Sequence, residues 1–575
     1  MSALLLRWNA LELPPPVHAS QAEKITWALD GPDGANRRFR KQLFDQLPDS
    51  FATSLAGRYV ALYENNGERD ANLLFLDNLA RLEDFTLPLD SSDSDLVEYA
   101  RARAKECQRM LGHAAGLEVA IAGMERVCLR CGIAPPKTTI QGRLARLTDE
   151  LWWRRSVRKV YGRALERYAV EAGFIHRKAG LYVSDEGLKR KKEQARRNAR
   201  ALEGMLAVNE VGEEFELSRL VEHSLANPKN RRSELMVRIA GFDAVSQLLM
   251  HSAVFCTLTC PSHMHPRLAV SGDENPKFDG KSHVKEGQAY LCSVWSRVRA
   301  SLQRRGIPIY GFRVAEPHHD GTPHWHLLIW VAPAQRDQMI SIFKDYALQD
   351  SPDEEGAQEH RFTSELIDPS KGSAAGYIAK YISKNIDGFG LPESEGGKPE
   401  RVRAWAGIHG IRQFQQFGGP SVGIWRELRR VGGAYEILGL LGEMLDAANK
   451  GDWARFVMLM GGPTCKRADM PVVLDKKEVD TLGRYGEPMG KRVQGVQCGG
   501  VYLPTRFSTW SIKFKNCTQE NTPSSEGVTI KGVPNEGAPK ASLGEGVSEG
   551  EKQPFKGFLR EVPNGGARPP IRWGC

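Results

Sequence analysis

The chain has 575 residues, 41% of them hydrophobic, with 79 Lys and Arg against 70 Asp and Glu for a formal net charge of +9. At about 150 residues per domain this length predicts three or four units, and the apolar content is enough for buried cores. A mean hydropathy of −0.42 with no long uncharged apolar run excludes a membrane span, and ten cysteines over this length exclude a disulfide scaffold and suit a reducing cytosol.

The opening Met1–Arg7 carries an apolar run too short for a signal peptide and no basic segment before it, which predicts a protein of a cell interior. The pI of about 8.9 permits a nucleic-acid partner, provided the basic residues cluster. Residues 1 to 90 give mixed signals. From Leu96 the pattern is helical, with Leu96, Ala100, Ala104, Cys107, Met110 and Leu111 on one face. Cys128 and Cys131 have zinc-knuckle spacing without a second pair nearby, and read as two small buried residues on a helix. A further helix starts where Thr148 can cap it, runs through Trp152, Val160, Tyr161, Leu165 and Tyr168, and stops at Gly173. It carries Arg154, Arg155, Arg158, Lys159, Arg163 and Arg167, and a second basic run follows at Lys189, Arg190, Lys191, Lys192, Arg196, Arg197 and Arg200. Such runs are either solvated helix faces or surfaces that track a phosphate backbone.

Residues 253–390 change character. Ala253 to Thr259 is a β-branched and aromatic strand. A polar loop with Pro261, Pro266, Gly272 and Pro276 leads to an amphipathic helix through Leu291, Val294, Trp295, Val298 and Leu302, ending at Gly306. Tyr310–Ala315 and His324–Val331 are strands joined through the turn dipeptide Asp320-Gly321. Helices near 335–349 and 373–386 follow. The order predicts an α+β fold, an antiparallel sheet with helices packed on one side. Within the polar loop Gly280-Lys281-Ser282 mimics the end of a P-loop, but the position of its first glycine holds Asn275, so no Walker A site and no helicase is expected. Beyond about 515 Gly, Pro, Ser, Glu and Lys dominate, which predicts a disordered tail over 515–575.

Two patterns carry chemistry. In His324-Trp325-His326 alternate strand residues share a face, so both imidazoles project together. The pattern is also what two unrelated surface histidines give. Glu316 ends the preceding strand, and antiparallel pairing brings its carboxylate beside the histidines. Two nitrogens and one oxygen with open positions suit a catalytic Mg2+ or Mn2+. His318 and His319 in the same loop are read as loop or DNA contacts. In Tyr377-Ile378-Ala379-Lys380-Tyr381-Ile382-Ser383-Lys384, four-residue spacing stacks Tyr377 on Tyr381 and Lys380 on Lys384 along a helix, with Ile378 and Ile382 as an apolar stripe. An ordinary amphipathic helix with half-buried tyrosines has the same pattern. Gly372 and Gly376 lie just before, where backbone can pass close to a phosphate.

Together these segments resemble the two-tyrosine class of HUH endonucleases and, within it, the replication gene A proteins (replication endonucleases) of tailed temperate phages. The resemblance rests on Phe255–Pro261, on Gly311–His318 running into Asp320–His326, on Gly376–Lys384, on Trp405 and Gly410-Ile411-Arg412-Gln413-Phe414, and on Trp425-Arg426-Glu427-Leu428-Arg429; it spans roughly 100 to 440. It implies a site-specific nickase that starts rolling-circle replication of phage DNA, with Tyr377 and Tyr381 as nucleophiles that form a 5′-phosphotyrosine and leave a free 3′-hydroxyl. A metal on Glu316, His324 and His326 would polarise the scissile phosphate, and Lys380 and Lys384 would offset its charge. It implies single-stranded DNA at a replication origin as substrate, a host helicase and DNA polymerase as partners, and the bacterial cytoplasm as location. Arg154, Arg155, Arg158, Lys159, Lys191, Lys192, Arg196 and Arg197 are candidate DNA contacts. The expected division is an N-terminal region to 90, a mainly helical basic region over 91–245, the HUH endonuclease domain over 250–440, an extension over 441–514 and the tail. A plasmid relaxase or two-tyrosine transposase shares the chemistry. A zinc hydrolase would use the same three ligands without the tyrosines, and a non-enzymatic DNA-binding protein would use neither.

Overall fold

A computed structural model describes residues 18–30, 40–82, 86–370, 372–390, 398–432 and 437–515. The tail expected over 515–575 lies, from 516 onward, outside the described residues. No helix among the described residues is long and apolar enough to cross a membrane.

The first half is helical: α1 (Gln21–Asp30), α2 (Asp49–Asn66), α3 (Glu68–Leu82), α4 (Asp93–His113), α5 (Leu117–Arg130), α6 (Ile140–Leu147), α7 (Glu150–Glu171) and α8 (Asp185–Glu203). Its core is one cluster in which Phe51, Leu55, Tyr59, Phe75, Leu96, Met124, Trp153, Leu165 and Tyr168 meet. Ser92 starts α4 with a reciprocal capping box to Asp95. Two details differ from the sequence expectation. The N-cap of α7 is Asp149, whose carboxylate accepts the Leu151 N–H at 3.0 Å, while Thr148 closes the preceding α6. The buried tryptophan of α7 is Trp153; Trp152 lies only partly buried at the edge of the core. The opening ninety residues, mixed in sequence, are mostly helical where they are described.

A small hairpin, β1 (Met205–Asn209) and β2 (Glu214–Glu216), leads through α9 (Leu217–Glu222) to α10 (Pro228–Leu248) and the central sheet. That sheet is built from β3 (Ser252–Leu258), α11 (Val284–Arg304), β4 (Tyr310–Pro317), β5 (Pro323–Val331), α12 (Arg336–Ala347), β6 (Phe362–Leu366), α13 (Ala374–Ile386), α14 (Lys398–His409) and β7 (Phe414–Phe417). It is antiparallel throughout, in the order β6-β3-β5-β4-β7. The α+β class holds, with two corrections. The edge strands β6 and β7 carry no clear sequence signal, because Phe-Thr-Ser-Glu-Leu buries only its first residue and Phe-Gln-Gln-Phe is four residues long. And helices cover both faces rather than one. On one face Val254, Cys256, Trp325, Leu327 and Ile329 pack with α11 and α12. On the other Phe255, Phe312, Val314, Leu328 and Trp330 pack with α10, α13, and the later helices α15 (Val422–Val431), α16 (Gly439–Lys450) and α17 (Trp453–Leu459). The period of two assigns successive residues of each strand to opposite cores.

The chain continues through β8 (Val472–Glu478), β9 (Lys491–Cys498) and β10 (Val501–Pro504), a second antiparallel sheet, and β11 (Trp510–Phe514) returns to pair with β1. Further contacts tie this late segment to the helical half, among them Glu487 paired with Arg146 at 2.6 Å and Tyr485 donating to Asp149 at 2.7 Å.

Candidate active site

The site grows from the β4–β5 hairpin. Its loop is closed by hydrogen bonds between His318 and Thr322 and between Gly321 and His318, and Gly321 takes φ +86, the left-handed turn position that glycine fills without strain. This fixes the register so that Glu316 sits directly opposite His324. Glu316, His324 and His326 then face α13, while Trp325 points into the opposite core. The two imidazole Nε2 atoms lie 3.0 Å apart, Glu316 Oε2 lies 3.7 Å from His326 Nε2, and all three donor atoms fall within 4.8 Å of one another.

His326 and Glu316 are held from behind, whereas His324 Nδ1 is buried with no hydrogen-bond partner among the described residues. Thr257 Oγ1 meets His326 Nδ1 at 3.1 Å, which leaves Nε2 turned to the common point. Glu316 is 1% exposed, takes Lys384 Nζ at 3.1 Å on one oxygen and the Asn385 amide on the other. Asn385 is steadied by Gln413 at 3.3 Å. Burial pushes the Glu316 carboxyl above its ordinary range, with Lys384 and Asn385 pulling it back. Burial drives both imidazoles down, His326 to about 3 and His324 well below 6.5, so both are neutral at pH 7 as metal ligands must be. Two neutral imidazoles and one carboxylate, converging and with His326 and Glu316 backed by second-layer hydrogen bonds, fit a divalent cation. Among the described residues no other group of three His, Cys, Asp or Glu converges in this way. Cys128 and Cys131 accordingly form no such group; both are buried, and Cys131 Sγ meets the Tyr99 hydroxyl at 3.2 Å.

The helix α13 lies across this centre. Ser373 caps it by accepting the Gly376 N–H, and Ile378, Ile382 and Ile386 seat it on the core. Tyr381 is half-buried, with its ring 4.3 Å from the His326 ring. Tyr377 is more exposed and donates its hydroxyl to Glu365 of β6 at 2.6 Å. Phe255 carries the cluster, with ring centroids 4.7 Å from Tyr377, 5.1 Å from Tyr381 and 5.5 Å from His326. Burial raises both phenols, Tyr377 further through Glu365 and Tyr381 further through Glu316. Lys384 points to the triad, while Lys380 is exposed on the same side of the helix.

Other candidates fall elsewhere. His318 is half-buried with its ring tilted against that of His324 at 4.1 Å between centroids, and His319 Nε2 meets the Arg267 carbonyl at 3.3 Å, so neither stands in an open loop. Gly372 takes φ +150, and Gly376 is inside α13. The loop at Gly280-Lys281-Ser282 is an Asp279-centred turn, and Asn275 ties it to Ser262 and His265. Several of the basic side chains on the helices are engaged by other parts of the chain. Arg158 and Arg197 both pair with Asp93, at 2.7 and 3.4 Å, and Lys192 pairs with Glu400 at 2.6 Å. Arg155 donates to Tyr485, Arg154 has its Nε buried, and Lys191 is half-buried beside Gln194. Lys159 and Arg196 are exposed. Sequence reasoning missed Glu365, Asn385 and Thr257 as neighbours of the site. Only strand register or helix spacing from residues already singled out could have found them.

Residues 124–389 match the family described as bacteriophage replication gene A protein. The chain is 40% identical over 390 residues to the replication protein of Haemophilus phage HP1, covering 65% of this chain and 49% of that one. It is 37% identical over 414 residues to the replication gene A protein of Escherichia phage 186, covering 67% and 59%. It is 33% identical over 405 residues to a probable replication endonuclease from a prophage-like region of Salmonella typhimurium, covering 66% and 49%. The chain thus spans between 49% and 59% of the length of these three relatives. No solved structure matches it.

Proposed function

We propose, from the match of residues 124–389 to the bacteriophage replication gene A protein family, that this protein is a site-specific single-strand DNA endonuclease that initiates rolling-circle replication through a covalent 5′-phosphotyrosine. The observation that carries this reading is the convergence of Glu316, His324 and His326 beneath the helix that bears Tyr377 and Tyr381, with the Tyr381 ring tilted against His326 at 4.3 Å between centroids.

Glu316, His324 and His326 would hold a divalent ion, Mg2+ or Mn2+, which when bound supplies Lewis-acid polarisation of the scissile phosphate. The protein's own residues do the rest. A phenol is a poor nucleophile at neutral pH, and burial here makes both tyrosines poorer still. Glu365 already accepts the Tyr377 hydroxyl hydrogen bond and is placed to take its proton as the oxygen attacks phosphorus. Lys384 and Lys380 offset charge on the phosphoryl oxygens. The phosphoester bond passes from the 3′ oxygen to tyrosine, so no nucleotide is consumed and the step reverses. Two tyrosines on one face, about 6 Å apart along the axis at 1.5 Å per residue, let one hold a 5′ end while the other cuts. The free 3′-hydroxyl serves a host DNA polymerase, and a host helicase separates the strands.

The test is a labelled single-stranded origin oligonucleotide incubated with protein and Mg2+ or Mn2+, resolved on a denaturing gel. A shifted, protease-sensitive adduct whose tyrosine maps to 377 or 381 by peptide mass spectrometry supports the reading. Cleavage without an adduct identifies a hydrolase, and binding without cleavage identifies a DNA-binding protein.

A further inference from the structure

We propose that Tyr182, a residue of the helical half, is a positioning residue for this site: its ring holds Lys384 against Glu316. The proposal rests on Lys384 being a phosphate-facing cation, as read above.

Tyr182 lies in the connection between α7 and α8. Its φ is +71, in the left-handed region that a bulky residue rarely enters. The Val183 N–H donates to the Leu181 carbonyl across it at 2.8 Å. Tyrosine is therefore the central residue of a three-residue turn with positive φ, a rare and strained form. Such strain persists only where the surroundings over-determine it, and here they do. Arg401 of α14 donates to the carbonyls on both sides, Leu181 at 3.4 Å and Val183 at 2.6 Å, and pairs with Asp185. The Tyr182 N–H donates to the His319 carbonyl at 3.4 Å, in the loop of the catalytic hairpin. Val183 is fully buried with Val284, Val402 and Trp405, and Tyr182 packs against that cluster. Trp405 in turn donates to the Gly321 carbonyl at 2.8 Å.

A turn of this kind by itself is best served by glycine. What tyrosine adds is the ring. Lys384 Nζ lies 5.9 Å from the ring centroid, within the outer reach of cation–π attraction, and 3.1 Å from Glu316 Oε2. The ammonium is confined between an aromatic face from the helical half and a carboxylate of the sheet. Lysine is a compact charge on a flexible stem, so without a wall on that side it can leave the position from which it meets both Glu316 and a phosphate. The strained turn thus makes the helical half part of the catalytic centre, through Arg401, Tyr182 and Lys384.

The experiment compares Tyr182→Leu, Tyr182→Phe and Tyr182→Gly in the full chain by two readouts. The first is the NMR signal of Lys384 in protein labelled with [ε-13C]lysine, assigned by its loss in Lys384→Arg. A ring-current shift is expected in wild type and Tyr182→Phe and is expected to vanish in Tyr182→Leu and Tyr182→Gly. The second is oligonucleotide cleavage with Mn2+. Here kcat should fall about tenfold in the leucine and glycine variants, between the sizes of an exposed and a desolvated cation–π contact. KM should stay within about twofold, and phenylalanine should restore the rate. Glycine relieves the strain, so its unfolding temperature should match or exceed wild type while its activity falls. In a Lys384→Met background Tyr182→Leu should add no further loss. Wild-type cleavage by Tyr182→Gly, or a leucine effect that survives in Lys384→Met, would overturn the proposal and return Tyr182 to a turn residue. So would an unshifted Lys384 signal in wild type, whatever the chain cleaves. A shifted signal in a chain that cleaves no DNA would leave the ring's placement standing and sink the endonuclease reading instead.

Discussion

The basic helices α7 and α8 and the β4–β5 hairpin are both rich in side chains able to do chemistry, and they use them in opposite ways. In the helices most cations are turned inward on the chain itself. Arg158 and Arg197 share Asp93, Lys192 meets Glu400, and Arg163 donates to the Ile408 and His409 carbonyls at the end of α14. In the hairpin Glu316 and His326 are buried and partnered from behind by Lys384, Asn385 and Thr257, and with the half-buried His324 they aim at one point in front. Buried polar groups are normally paired in full. A largely buried set whose ligand atoms converge on one point is therefore a stronger sign of function than a long run of charge.

The largest expected effect tests the convergent side of this contrast. Losing an outer-layer partner of a metal ligand costs about 10–100-fold in metal affinity or activity, so losing a ligand itself should cost more. His324→Ala or His326→Ala should reduce nicking below detection in a denaturing-gel assay while circular dichroism shows an intact fold. Near-wild-type nicking by His324→Ala in Mg2+ or Mn2+ would remove the metal assignment. Next, Tyr377→Phe with Tyr381→Phe should abolish the covalent adduct and spare DNA binding in a mobility shift, since only two hydroxyls are lost. Either single change should hurt a full nick-and-rejoin cycle more than one cleavage. An adduct in the double variant would place the nucleophile elsewhere. Thr257→Val should then fall in the outer-layer range of about 10–100-fold, read as a rightward shift of the Mn2+ activation curve. An unchanged curve would mean that His326 needs no holding.

Acid should expose a smaller effect at the junction of the two regions. His409 of α14 is buried beside Trp405, and burial, with Arg163, His283 and Lys191 nearby, drives its pKa down to about 3. The unfolded chain protonates this imidazole near 6.5. Between 6.5 and about 3 the unfolded state therefore binds a proton that the folded state does not. Stability is complete above the upper value and falls with pH by about 1.4 kcal/mol per unit. Denaturant midpoints measured from pH 7 to pH 5 should drop less steeply in His409→Asn, by about one proton's worth of slope. Equal slopes would mean that His409 titrates freely.

What could be read from the residues follows the same contrast. His324, His326 and Glu316 were legible because strand periodicity and one hairpin register decide where they go, and both are local properties. The tyrosine helix was legible for the same reason, its stripe of Ile378, Ile382 and Ile386 being four residues apart. Glu365 and Tyr182 were not. Each reaches the site through pairing or packing between segments distant in the chain, Glu365 by lying opposite Phe255 and Tyr182 through a turn clamped by Arg401. The second helical layer on the sheet escaped notice because α10 precedes the sheet and α15–α17 follow it, outside the stretch whose pattern was regular. The basic runs left two readings open for a related reason. Charge spacing on a helix says which side chains share a face, and nothing about the acids that other segments bring to it.

The smallest effect separates two kinds of cation within one helix pair. Lys159 and Arg196 are exposed, whereas Arg158 and Lys192 are bound to Asp93 and Glu400. If part of this face tracks DNA, the exposed pair should carry it. Lys159→Gln with Arg196→Gln should lower the slope of log K against log salt by about 0.7 to 0.9 per lost contact and leave stability unchanged. The paired cations should do the reverse. Their ion pairs are partly open to solvent, so Arg158→Gln with Lys192→Gln should lower stability by no more than about 1 kcal/mol per pair and leave the salt slope nearly unaltered. A DNA contact would require those side chains to leave Asp93 and Glu400 first. Filter-binding titrations from 50 to 200 mM salt, a range over which each phosphate contact is resolvable, measure both pairs side by side. Equal slopes for all variants would make the whole face a solvated and structural one. A larger slope change in the bound pair than in the exposed pair would show that the internal ion pairs open on binding, and the contrast between the two regions would then hold only for the DNA-free protein.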